Sequence, residues 1–387
     1  MKHILFICSS HGFEDGRVSQ KEAVSLVKLG YNVSLCAQKS KWSYDDPVRM
    51  IDVDTGDVVP DWRAIGILPR STRWQRLCRL ARIYKICKRE KADLIVAHEF
   101  ETALLARVFH LLNGTPFVFD VHECFEEKIL ENFHKLLHPF VRFVFNRIAH
   151  SIVKGSSGIT AVSSASAILQ YAKSIQKPTL ILHNAPIVDF FPYNTEEREP
   201  ILLVHEGWLT HERGALPMLD ALALLKRRHA FKLLLIGKIS QDIEEDFNRK
   251  KQELGLEDNI LSAGFLPWRD IGKVEASGQI GLICSQPYPN HMKSLANKLY
   301  NYMACGLAVL AMKGSAAEEI IHDANSGICV DTTNPEAIAE GLCWLIEHPK
   351  DRRQMAANGR KAIETKYGWH CMAKEMEKFY GAILQNA

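Results

Sequence analysis

The chain has 387 residues, of which 47% are hydrophobic and 24% charged, with a formal net charge of +3. That length accommodates two domains with separate cores, and the composition is that of an ordinary globular protein. The charge is too small to argue for nucleic acid as a partner, and no apolar run reaches the ~18 residues that span a bilayer.

The first residues, MKHILFICSS, read as a short strand; the apolar run is too brief for a signal peptide. The runs HILFICS, NVSLCA, DLIVAH, PFVFDV, GITAVS and TLILHN then read as buried parallel strands. Amphipathic helical stretches such as Arg17 to Leu29 and Thr102 to Leu112 separate them, which predicts a doubly wound α/β domain. Ligands bind beyond the carboxyl ends of such strands, so the residues just after each strand are the candidates. The loop SSHGFEDGRVSQKEA carries Gly12 and Gly16 without a GxGxxG spacing, so it holds no dinucleotide fingerprint. His98-Glu99 follows one strand, and Asp120-Val121-His122-Glu123 closes the next. A single strand-end His is usually structural, whereas two His–Glu pairs in one domain point to a site. The four residues could also be metal ligands, although nothing in the spacing fixes their geometry. Asp52 to Asp54 is a DVD triplet too short to carry weight.

Two further helices bear on membranes. Arg70 to Lys91 has a cation nearly every third residue beside a stripe of Trp74, Leu77, Leu80, Ile83 and Tyr84. Such a helix packs its apolar side on the sheet or lies on an anionic surface. HKLLHPFVRFVFNRIAHSIVK is apolar nearly all round, as expected for core or for membrane contact.

HNAPIVDFFPYNTEEREP, from His183, reads as a linker. The alternation then restarts, with ILLVHEG, FKLLLIGK, NILSAGF, IGLICSQ, LAVLAM and GICV as strands. Arg213-Gly214 opens a helix, and a cation at that positive dipole end is favourable only beside a bound anion. A second helix is expected from near Ser294 to Gly306, with Lys298 in its first turn. Ser294, Lys298, Asn301 and Cys305 share one polar face, while Leu299 and Met303 face the core. Two helical stretches close the chain. Its ten cysteines show no C-x-x-C pair; those such as Cys8, Cys36 and Cys284 lie in apolar runs and suit a reducing, cytoplasmic setting.

The segment KLYNYMACGLAV, followed by AEEII and Gly327, resembles the donor-site signature of the family 4, GT-B-fold glycosyltransferases, roughly KLFEYMAxGxPV. FVFDVHECFEE is similar to the family's VVYDxHELF, HNAP to its linker, and EGWLTHERG to its GxLxxxRG. The resemblance implies two doubly wound, Rossmann-like domains facing a central cleft, residues 1–190 and 200–365. The last helix, 366–387, would cross back to the first domain. It implies transfer of a sugar from a nucleoside diphosphate sugar, of UDP or GDP type, to a glycan or lipid-linked acceptor. The expected setting is polysaccharide or lipopolysaccharide assembly on the inner face of a membrane, by a retaining reaction without cofactor or bound metal. By the same resemblance His122, Glu123 and His98 are the catalytic candidates. Gly12, Gly207, Arg213, Pro267, Ser294, Leu295, Lys298 and Asn301 are the donor-binding ones. Asn301 and Lys293 replace the family's paired Glu residues, and Trp208 an Arg, which leaves a non-catalytic, sugar-nucleotide-binding subunit as the alternative. Asn301→Glu is expected to be tolerated or to tighten donor binding.

Overall fold

The protein is described by a computed structural model covering residues 1–13, 15–38, 48–52, 58, 73–121, 125–130, 133–163 and 166–385. It divides into two compact units, Met1–His183 with Met372–Ala387, and Asn184–Cys371.

The first unit is built on a seven-stranded parallel sheet. Its strands are β1 (His3–Gly12), β2 (Asn32–Gln38), β3 (Arg49–Asp52), β4 (Leu94–Ala97), β5 (Phe117–Val121), β6 (Gly158–Ala161) and β7 (Thr179–Ile181). They lie in the order β3-β2-β1-β4-β5-β6-β7, so the winding reverses beside β1. Strands covered on both faces read as unbroken apolar runs, and Leu94–Ala97 and Phe117–Val121 are buried throughout. The edge strand β3 escaped that pattern because its sequence, RMID, has only two apolar residues between a charged residue at each end. The stretch from Arg17 begins as a π-helix, Val18–Ala23, before continuing as α-helix over Val24–Lys28.

The basic helix is Arg73–Glu90, and its apolar stripe faces inward. Ile83, Ile86 and Cys87 are buried, and Leu80 and Tyr84 pack against the same core. Arg70, and the side chains of Trp74 and Leu77, lie outside the described residues. The His138–Gly155 helix is two-faced, not apolar all round: Phe145, Ala149, Ile152 and Val153 are buried, while Phe140, Phe143 and Val144 are exposed. Among the described residues no helix is long and apolar enough to cross a membrane. The closing helix, Trp369–Gln385, packs on β6, where a β-carbon at Gly158 would come within 2.6 Å of Phe379.

The second unit holds a six-stranded parallel sheet of β8 (Ile201–Glu206), β9 (Phe231–Ile236), β10 (Ile260–Gly264), β11 (Ile280–Ile283), β12 (Ala308–Met312) and β13 (Gly327–Val330). The order β10-β9-β8-β11-β12-β13 reverses at β8. Successive residues point to opposite faces, so Leu203 joins one core and Val204 the other. The Asn297–Cys305 helix is buried on every side from Lys298 onward, so its polar face is interior. It starts at Asn297 after an Ala296 cap, three residues later than expected, because Ser294 is extended and ends a separate short helix, Pro289–Lys293.

Candidate functional site

The winding reverses at β8, and the residues after it build a positively charged site. Gly207 follows the strand with φ +97°, a conformation that favours glycine. A β-carbon there would lie 3.3 Å from Arg213 Nη1 and 3.5 Å from Lys298 Nζ, so the two cations converge on one point. A turn brings Arg213 into place: its backbone N–H donates to Thr210 Oγ1 at 3.1 Å, and Nη1 donates to the Trp208 carbonyl at 3.1 Å. Gly214, at φ +72°, starts the Ala215–Lys226 helix, and any side chain there would overlap the Cys284 carbonyl oxygen. This helix and Asn297–Cys305 both begin without a side-chain cap; the Ala215 amide donates to the Thr210 carbonyl and the Leu299 amide to the Ala296 carbonyl, so the remaining tip amides, with the positive helix ends, face toward an anion site.

Lys298 is only 8% exposed. Burial lowers its ammonium to about 8, with Glu206 raising it and Arg213 lowering it further. His205 Nε2 faces Lys298 Nζ at 3.5 Å. Burial, then the charges of Lys298 and Arg213, hold that imidazole neutral, well below the ordinary His range. Among the described residues neither Arg213 nor Lys298 makes an ion pair, which leaves both charges for a ligand. An Arg fork beside a Lys ammonium and helix tips suits a phosphate.

Beside the cations lies an acid pair that the sequence analysis did not single out. Glu206 ends β8, and Glu275 comes from the Trp268–Glu275 helix. Glu275 is fully buried; burial, then the charge and hydrogen bond of Glu206, raise its carboxyl well above the usual range, so it keeps its proton. Asn301 Nδ2 donates to Glu206 Oε2 at 3.1 Å. The Glu206 backbone N–H donates to the Tyr302 hydroxyl at 2.8 Å. An amide at 301 is therefore in use as a donor, which a carboxylate cannot supply. This alters the expectation that Asn301→Glu is harmless. The signal for Glu206 was its place as the last residue of the first strand in its sheet, the position that ligands approach.

The other donor candidates sit as follows. Ser294 turns the chain between two helices, and Leu295 packs against the core. Pro267 starts the Trp268–Glu275 helix, and Trp268 stands edge-on to Phe190 at 5.1 Å with Arg269 over the same ring. Trp268 is thus packed, whereas Phe265 in the same loop is 62% exposed.

In the first unit His122 and Glu123 lie outside the described residues. His98 is fully enclosed and sits 3.1 Å from Asp120 Oδ2 through Nδ1. Asp120 Oδ1 accepts from Arg17 Nη2 at 2.9 Å and Thr160 Oγ1 at 2.6 Å. His98 thus belongs to a buried network and presents no surface to a ligand in this structure. Glu99 turns the other way and accepts from the amides of Ser9, Ser10 and His11 at 3.0, 3.0 and 3.3 Å. Burial opposes its charge, but His11 and the Ser10 and Ser9 amides prevail and hold the carboxyl below its usual range. Gly12 follows this clamp and pairs with Gln38 at the end of β1. His98 and Glu99 therefore diverge, as metal ligands would not. Glu22, His98 and Asp120 do lie together, but the Arg17 guanidinium already bridges both carboxylates.

Two doubly wound parallel sheets, one carrying paired cations at helix tips, define the GT-B class of fold. A solved structure of Anabaena HepE in complex with UDP and glucose matches 99% of this chain and 100% of that one, with TM-score 0.73 at 16% identity. Residues 189–362 match the model of the glycosyl transferases group 1, and residues 16–169 that of glycosyltransferase family 4. The chain belongs to the family 4 glycosyltransferases. An uncharacterised glycosyltransferase of Methanocaldococcus jannaschii is 27% identical over 49% of this chain and 46% of its own length. An N-acetylgalactosaminyltransferase of Campylobacter jejuni, acting on a diphospho-undecaprenol-linked sugar, is 22% identical over 85% of this chain and 86% of its own. The matches span less than half the length of the first curated relatives.

Proposed function

We propose that the protein transfers a sugar from a nucleoside diphosphate sugar to a glycan or lipid-linked acceptor in cell-surface polysaccharide or glycolipid assembly. The observation that carries this reading is the convergence of Arg213 and Lys298 on Gly207 at two uncapped helix starts. As the bond to the sugar breaks, negative charge grows on the departing diphosphate. Fixed cations and helix tips stabilise that charge without reorganising. They supply what a bound metal would otherwise provide, so the diphosphate needs no metal here. Glu206 and Asn301 offer hydrogen bonds to the ribose hydroxyls. His122, with Glu123, positions the sugar for a retaining transfer. The UDP in HepE and the undecaprenol-linked acceptor of the Campylobacter relative support a UDP- or GDP-type donor and a lipid-linked acceptor.

The test is a thermal-shift screen of UDP-, GDP- and CMP-sugars on the full chain and on Arg213→Ala. A shift with one nucleotide class, lost in the variant and followed by turnover of that donor, supports the reading. No shift with any donor would sink it. A shift with neither hydrolysis nor transfer would leave a non-catalytic binding subunit, the role that Asn301 in place of a carboxylate favours.

A further inference from the structure

Two helices of the first unit, Phe100–Asn113 and His138–Gly155, pack together through Phe100 stacked on Phe145, centroids 4.7 Å apart. Their outer sides are unusually apolar. Leu111 and Leu112 on one are 65% and 68% exposed, and Phe140 and Phe143 on the other are 69% and 63% exposed. Leu136, just before the second helix, is 84% exposed. Scattered exposed apolar residues are ordinary; several large ones on two touching helices mark a contact surface.

The same pair of helices forms a half-open pocket of about 280 Å³ lined by Arg107, Arg147, His150, Ser151 and Lys154. Among the described residues no carboxylate lines it. Arg107 Nε is buried without a hydrogen-bond partner, and a side chain at Gly155 would collide with that guanidinium. Burial, then Lys154 and Arg147, lower the His150 imidazole, and Arg107, after burial, lowers Lys177. The charges are gathered, and among the described residues none of Arg107, Arg147 and Lys154 makes an ion pair. Arg forks beside a lysine favour a phosphate oxygen cluster. The volume is just under the ~300 Å³ at which drug-sized pockets begin, so it suits a compact headgroup.

We propose that this cavity holds the phosphate of an anionic phospholipid while Leu136, Phe140 and Phe143 enter the acyl boundary, docking the first unit on an anionic bilayer. A phosphate dissolved in water would need no rim of Phe and Leu. A bilayer surface supplies the anion and the apolar layer together. Its link to catalysis rests on the lipid-linked acceptor proposed above; the docking itself does not.

The experiment is sedimentation of the full chain with phosphatidylcholine vesicles, with and without phosphatidylglycerol, at low salt. Wild type is expected to bind only the anionic vesicles. Arg147→Ala/Lys154→Ala is expected to weaken binding about 30-fold, from about fivefold per cation near an anionic surface. Phe140→Ser/Phe143→Ser is expected to lose the part of the binding that survives raised salt, and Gly155→Ala to weaken binding by displacing Arg107. Absence of wild-type binding, or full binding by the Arg147/Lys154 variant, overturns the proposal. Stabilisation by inorganic phosphate that this variant loses, without vesicle binding, overturns it in favour of a soluble phosphate ligand. Nucleotide-sugar thermal shifts are expected to be unchanged in all these variants, which separates this test from the donor reading.

Discussion

Asn301→Glu tests the acid pair directly. Asn301 is 9% exposed, and its amide donates to Glu206 at 3.1 Å, while Glu206 already stands beside buried Glu275 and raises that carboxyl. A third carboxyl has two choices. Ionised at ~4 Å from Glu206, it costs about 4 kcal/mol at an effective dielectric of ~20. Protonated at about pH 7.5 from an ordinary value near ~4.3, it costs about three pKa units, again about 4 kcal/mol. Lys298 offsets part of either, leaving about 3 kcal/mol. For a unit of this size each kcal/mol moves the melting temperature by about 2–4 °C, so a loss of about 6–12 °C is expected. The folded-state pKa of the new Glu is raised, so its contribution to stability is fully present below the unfolded value and is lost as pH rises through the folded one. The deficit is therefore small near pH ~5 and complete by about pH 8. Circular-dichroism melts across that range measure it. Adding Glu206→Gln to the variant returns a donor to the pair and is expected to recover most of the loss. A single variant that melts within ~2 °C of wild type at pH ~8, or a deficit independent of pH, would refute this account of the site.

Three further outcomes follow from the same geometry. Lys298→Met is expected to stabilise the unliganded protein while abolishing nucleotide-sugar binding. The ammonium is lowered from 10.5 to about 8, so its burial costs stability below pH 8 and the cost fades as pH rises toward 10.5. The gain is up to about 3 kcal/mol at neutral pH and absent above pH ~10.5, as urea denaturation at both values would show. Gly214→Ala sets a β-carbon into the Cys284 carbonyl oxygen at φ +72° and is expected to yield insoluble or unfolded protein, read from soluble expression and far-ultraviolet dichroism. Arg17→Met strands the Glu22 and Asp120 carboxylates in the interior and is expected to cost about 3–5 kcal/mol in denaturant unfolding.

The sheets were legible because both their faces are covered. Buried parallel strands leave unbroken apolar runs, and all six runs named in the second unit are strands. β3 was not legible, since an edge strand with Arg49 and Asp52 at its ends carries no such run. Within the site, Arg213 and Lys298 were legible from one rule, a cation at or just before the start of a helix. Glu206 and Glu275 lie 69 residues apart in sequence, and only the fold brings their carboxyls together. The polar spacing of Ser294, Lys298, Asn301 and Cys305 misled for a related reason. Periodicity shows that polar residues share a face but not whether the face meets water. Here it meets other buried polar groups: Glu206 takes Asn301, and the Gly272 carbonyl takes the Cys305 thiol at 3.4 Å.

Two charged clusters in this chain, one around Arg17 and one around Lys298, have opposite consequences. In the first unit Arg17 is closed between Glu22 and Asp120 at 2.9 Å each, so its charge is spent internally. In the second, Glu206 lies close enough to raise the Lys298 ammonium, yet its Oε2 is engaged by Asn301 and it stands beside the buried Glu275 carboxyl, which it raises. Among the described residues that carboxylate makes no ion pair with Lys298. On the proposed reading, a diphosphate at Gly207 would meet two open cations and two helix starts without first breaking an internal bridge. Removing one partner from a buried bridge costs about 3–5 kcal/mol, so leaving Lys298 unbridged keeps that penalty out of donor binding. Asn301, on this view, keeps the neighbouring acid occupied while the cations wait for their ligand.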